Sequence, residues 1–195
     1  MNTFDPQLTG KIASAIPLTA VLSIITLALL YSGIPIFGPI NDLTNAVSGV
    51  LIAVMVGQFH FLFRERAAGV AVIFLLVAFA GAATIVINSV LVAFGRMHWL
   101  TGGMYTAIGY GLIGVWFFVL LRTIVPQPFL TPGLIRLGTV TTLALLFCLP
   151  AAPLMGLGDN LKINPLIIIV FFGAGTGWLL FPFWCWQLGR RLISS

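Results

Sequence analysis

AAGVAVIFLLVAFAGAATIVINSVLVAF, the run from Ala67 to Phe94, contains no charged side chain. An α-helix rises ~1.5 Å per residue, so about 20 apolar residues cross a hydrocarbon core of roughly 30 Å. The run exceeds that length, which predicts a membrane-spanning helix that tilts or extends past the bilayer. Working outward from it, five further apolar runs of spanning length lie at 12–31, 43–63, 100–121, 134–151 and 165–188. The fifth is the least clear, because Arg136 stands near its start and Pro150 and Pro153 close it. The expected fold is all-α: a single polytopic transmembrane domain over 1–195, built as a six-helix bundle.

Composition leads to the same class. Hydrophobic residues make up 60% of the chain and charged residues 7%, against roughly 25% charged in a soluble domain. Such a chain cannot cover its apolar surface with polar groups, so lipid must cover much of it.

The cations then orient the bundle. If the spans alternate, Lys11, Arg64, Arg66, Arg122, Arg136, Arg190 and Arg191 fall on one side. Arg96 and Lys162 fall on the other, beside Asp42 and Asp159. This asymmetry predicts that both termini are cytoplasmic. The net charge of +5 is therefore topogenic, scattered singly at helix ends, and no nucleic-acid partner is expected. Tyr31 and Trp99 at outer ends, with Trp184 and Trp186 at an inner end, sit where interfacial aromatic anchors are expected. The first run is too long for the apolar core of a cleaved signal peptide and reads as an uncleaved helix.

Small residues mark candidate contacts. Gly103, Thr106, Tyr110 and Gly114 share one face of the fourth helix, and Gly173 and Gly177 form a small-xxx-small pair in the sixth. In lipid such faces allow close backbone approach; they can serve the bundle or a homo-oligomer seam. Pro17 and Pro182 are expected to kink the first and last helices. Helices two, four and six each run from glycine through aromatics to arginine, as in Gly49, Phe59 and Arg64. Shared membrane constraints explain this pattern without an internal repeat.

The candidate ligand site is an outer polar cluster of Asn41, Asp42, Asn45, Asn88, Arg96, His98 and Asp159, because polar groups are expensive in lipid and mark function. Each has a plainer reading. Asn41 or Asp42 can cap the second helix, Asn88 can bond a neighbouring helix, and the charges can rest among headgroups. An Asp42–Arg96 pair closing the outer end is a further expectation. The apolar, Pro- and Gly-rich segments Ser32–Ile40 and Leu149–Asp159 are expected as irregular loops that pack over the helix ends or form a lid or docking surface.

No catalytic or metal site is expected. His60 and His98 fall on opposite faces, and no carboxylate pair, Ser–His pair or Cys–His pair shares a depth. Cys148 and Cys185 are placed near opposite faces, too far apart for a disulfide. No helix carries a charge near its centre, which disfavours an ion-coupled transporter.

The segments Asn41–Asn45, Ile108–Trp116 and the carboxyl end from Gly177 to Leu192 resemble a family of bacterial six-helix membrane proteins of unknown function. The resemblance implies the six-helix plan and a bacterial inner membrane, and it names no activity or cofactor. The expected function is non-enzymatic: binding an apolar or amphipathic ligand such as a lipid or quinone, or serving as an accessory subunit of a membrane complex. A small transporter or channel for a neutral or hydrophobic solute is the alternative. An intramembrane enzyme using His98 with Asp42 or Asp159 has the least support.

Overall fold

A computed structural model describes residues 4–63, 68–123, 129–157 and 164–194. The described residues form seven α-helices: α1 (Pro6–Tyr31), α2 (Phe37–Phe63), α3 (Ala68–Ala93), α4 (Trp99–Thr123), α5 (Pro132–Leu146), α6 (Cys148–Met155) and α7 (Pro165–Ser194). Taking α5 and α6 together as Pro132–Met155, six units are long and apolar enough to cross a membrane. With six crossings both termini lie on one face, here named the terminal face.

Local chemistry sets the ends. Asp5 caps α1, its carboxylate accepting the Leu8 N–H at 3.0 Å, and Pro6 occupies a first-turn position where no N–H is needed. The helix therefore starts well before Ile12, within the polar lead-in. At the far end Gly33 adopts φ +91°, and the Ile34 and Gly33 N–H groups close back on Leu29 and Leu30. Gly95, at φ +67°, ends α3 in the same way through Arg96 N–H to Leu91 and Gly95 N–H to Val92. Both turns satisfy terminal carbonyls that lipid could not.

Other boundaries also differ from the apolar-run reading. α2 begins at Phe37 because Pro39 falls in its first turn, where proline is tolerated. Asn41 and Asp42 are thus inside the helix and cap nothing. The segment after Leu149 is helical to Met155 rather than irregular. The break falls at Phe147, three residues before Pro150, whose missing N–H leaves the Leu146 carbonyl without its helical partner. The chain there tightens, with Phe147 N–H bonding Ala144 at 3.1 Å.

The helices form a ring in chain order. α1 packs on α2, α2 on α3, α3 on α4, and α4 on α5 and α6; α7 packs on both α5 and α1, closing the circle. Aromatics fill the interior of its terminal half. The Phe117 and Trp184 rings meet edge-on at 4.3 Å between centroids, Phe117 meets Phe181 at 5.9 Å, and Phe59 reaches Trp116 at 6.4 Å. Trp184 is 1% exposed, and its Nε1–H donates to the Leu134 carbonyl at 3.0 Å. It is a core residue and not an interfacial anchor, whereas Tyr31, Trp99 and Trp186 are exposed.

Glycines set the spacing in the other half. A Cβ on Gly114 would lie 2.9 Å from Leu145 Cβ, and one on Gly177 would lie 2.5 Å from the Leu145 nitrogen. Leu145 is thereby clasped between α4 and α7. Gly81 and Gly109 face each other across α3 and α4, each within 2.7 Å of the other's carbonyl once given a Cβ. In lipid, packing at this range replaces the hydrophobic drive that holds soluble helices together.

Gly177→Ala is expected to lower the melting temperature in detergent, since backbone cannot yield as a side chain can, with a loss on the order of 1–3 kcal/mol. Gly175→Ala, where a Cβ meets nothing within 4 Å, should be neutral or gain up to ~1 kcal/mol from helix propensity. Thermal unfolding of the two variants side by side checks the pair.

Candidate ligand-binding site

Two features stand out from the apolar background: a polar seam between α1 and α2, and a groove between α1 and α7.

The seam begins where α2 turns back along α1. Ser23 Oγ–H points at the side-chain oxygens of Asn41, at 2.7 Å, and Asn45, at 3.2 Å. Thr26 lies 3.4 Å from the same Asn41 oxygen, and one turn deeper Thr19 and Ser48 share a hydroxyl contact of 2.5 Å. Asn41, Asn45 and Ser48 recur on the α1-facing side of α2 at steps of four and three, so the ladder follows helix geometry. It ties α1 to α2 and works as a clamp.

The remaining outer residues do not converge on it. Asn88 is buried, and its amide donates to the Thr84 carbonyl of its own helix at 2.7 Å. Asp42 is half-buried, seven residues before Gly49, whose missing Cβ faces Val86 and Ala82 of α3. Arg96 and His98 are exposed in the α3–α4 turn, where His98 Nδ1 accepts the Leu100 N–H at 3.3 Å. Among the described residues no ion pair joins Asp42 to Arg96, and Asp159 lies outside them. The proposed outer cluster therefore separates into a seam, a self-bonded asparagine and a surface turn.

The small-residue positions line contacts within the chain. Gly103 faces Met155 of α6, Gly114 faces Leu145, Gly173 faces the Phe147 ring, and Gly177 faces the α5 backbone. Tyr110 is buried beside them and Thr106 half-buried. Cys148 and Cys185 are both buried and free. No group of three or more His, Cys, Asp or Glu side chains that could hold a metal occurs among the described residues.

The groove comes from the way α7 returns to α1. Near the terminal face the two helices are pressed together: a Cβ on Gly10 would lie 2.9 Å from Ile193 and 3.2 Å from the Gly189 carbonyl, and one on Gly189 would strike Ser14 Oγ. Farther along stand Pro17 and Pro182, each inside its helix and each without an N–H to donate. Past this tight contact a cavity of about 220 Å³ opens between the helices. Pro17, Ala20, Val21 and Ile24 form one wall; Trp178, Leu179, Pro182, Phe183 and Trp186 form the other.

Every lining residue is apolar or aromatic. The volume is below the roughly 300–1,000 Å³ of enclosed small-molecule sites, which suits one slender chain lying along the seam. At the terminal end Trp186 meets Phe183 at 5.8 Å, and the Arg190 guanidinium stacks over the Trp186 ring at 5.2 Å. The separate prolines were visible in the sequence. Their opposition was not, because nothing in either run shows that the first and last helices are neighbours.

Comparison with protein-family models, curated proteins and solved structures yields no match.

A double-mutant cycle separates the clamp from the surface turn. Ser23→Ala and Asn41→Ala should couple by about 0.6 kcal/mol, a typical intramembrane side-chain hydrogen bond. Asp42→Asn and Arg96→Ala should show no coupling in the same detergent melts.

Proposed function

We propose that the protein is a non-enzymatic, multi-pass protein of a bacterial inner membrane, with both termini cytoplasmic, that holds one apolar chain of an amphipathic ligand in the α1–α7 groove. Lipids and quinones supply chains of the required kind. The reading applies equally to a free-standing binder and to an accessory subunit of a larger membrane complex.

The observation that carries it is the groove itself. A wholly apolar cleft lies between two helices of spanning length, with a proline on each wall, and is closed at one end by the Gly10–Gly189 contact. An open cleft between helices in lipid does not stay empty, because unfilled space forfeits dispersion contacts on both walls. The orientation rests on the asymmetry of Lys and Arg between the two faces, and the bacterial assignment on the resemblance noted above. A transporter would need a wetted path through the ring, and Phe59, Trp116, Phe117 and Trp184 occupy that space.

Ala20→Trp should fill the groove from the α1 side without touching the core. The wild-type protein purified in mild detergent is expected to carry a stoichiometric amphiphile, identified by mass spectrometry of the extracted lipids, and the variant about tenfold less. Equal content in both, at equal melting temperature, would contradict the assignment.

A further inference from the structure

We infer that the groove selects its occupant by charge: it takes an acyl chain of an anionic phospholipid whose phosphate rests on Arg190. This deepens the groove reading and depends on it.

Position supplies the first argument. Leu179, Phe183, Trp186 and Arg190 follow one another on α7 at steps of four, three and four, so they form one stripe. Its first three members line the groove, and the fourth continues it toward the terminal face. Trp186 is both the last wall of the groove and the platform for the guanidinium, 5.2 Å above its ring. A chain lying along the stripe therefore leads its headgroup to Arg190. The close Gly10–Gly189 contact blocks the alternative exit between the helices.

Availability supplies the second. Arginine offers five N–H donors in a fixed fork that matches a phosphate. The Trp186 ring attracts the guanidinium by its charge, and Arg190 is exposed, so its N–H groups are accessible to a phosphate. Among the described residues no carboxylate pairs with Arg190. Asp5, the acid of this face that they include, spends its carboxylate on the Leu8 N–H. Lys11 is exposed one residue from Gly10, which touches the α7 end directly, so the field at this mouth is positive.

Burial supplies the third. Arg191 is also exposed, but one residue turns a helix by about 100°, which aims it away from the groove stripe. The two adjacent arginines therefore differ in role. Arg190 selects, while Arg191 contributes only to the general attraction of the face for an anionic surface.

The test is competition between headgroups on identical chains. Intact protein in mild detergent is stripped of lipid, then incubated with equimolar dioleoyl phosphatidylglycerol and dioleoyl phosphatidylcholine, and read by native mass spectrometry. Wild type should retain one lipid, with the anionic species favoured by about fivefold, the effect of one well-placed cation. Arg190→Gln should still retain a lipid but at parity between headgroups, while Arg191→Gln keeps the preference. Parity in wild type, or a preference that survives Arg190→Gln, overturns the charge selection and leaves the groove reading standing. If Ala20→Trp retains the same lipid as wild type, the groove reading fails and this inference fails with it.

Discussion

Helices in a bilayer gain little from hiding apolar surface, since the lipid is as apolar as they are, so their association depends on how closely backbones can approach. In this protein that constraint is met around Leu145. The short α5 is wedged between Gly114 of α4 and Gly177 of α7, with a Cβ on either glycine meeting it at under 3 Å. Because α5 is held on both sides, α7 is carried round the ring to α1. The ring closes at a second glycine contact, Gly10 against Gly189. The α1–α7 groove lies beyond this last contact, with Pro17 on one wall and Pro182 on the other.

The two halves of the ring solve the packing problem differently. The terminal half is filled by rings in edge and tilted contacts, and the indole N–H of Trp184 is paired to a backbone carbonyl. Aromatic bulk of this kind needs space between helix axes. The other half brings the axes together over glycine and ties α1 to α2 by hydroxyl and carboxamide groups. The glycine-to-aromatic gradient along α2, α4 and α7 is the sequence form of this division.

Much of this was legible in the residues. The run from Ala67 to Phe94 and its five companions announce the spans because length and apolarity are local properties. The pairing of α1 with α7 was not legible, because Pro17 and Pro182 are separated by nearly the whole chain and no periodicity links them. Trp184 looked like an anchor because its neighbours Arg190 and Arg191 mark a membrane face, and only the ring geometry turns it inward. Asn41 and Asp42 looked like caps because the apolar pattern starts after them, while the helix starts earlier, at Phe37, with a proline in its first turn that composition reads as loop. The candidate site moved for the same reason: polar residues are easy to see in an apolar sequence, but the groove between α1 and α7 is lined by apolar ones.

The central claim is that the α1–α7 groove, open between the first and last helices, holds a chain. A density map of the protein in nanodiscs made with phosphatidylglycerol addresses it most directly. The account predicts elongated density between Pro17 and Pro182 that follows Val21 and Phe183 and ends at Arg190. Direct contact between Val21 and Phe183 across a closed seam would contradict it, as would a groove that is empty while ordered lipid occupies the seams between the other helices.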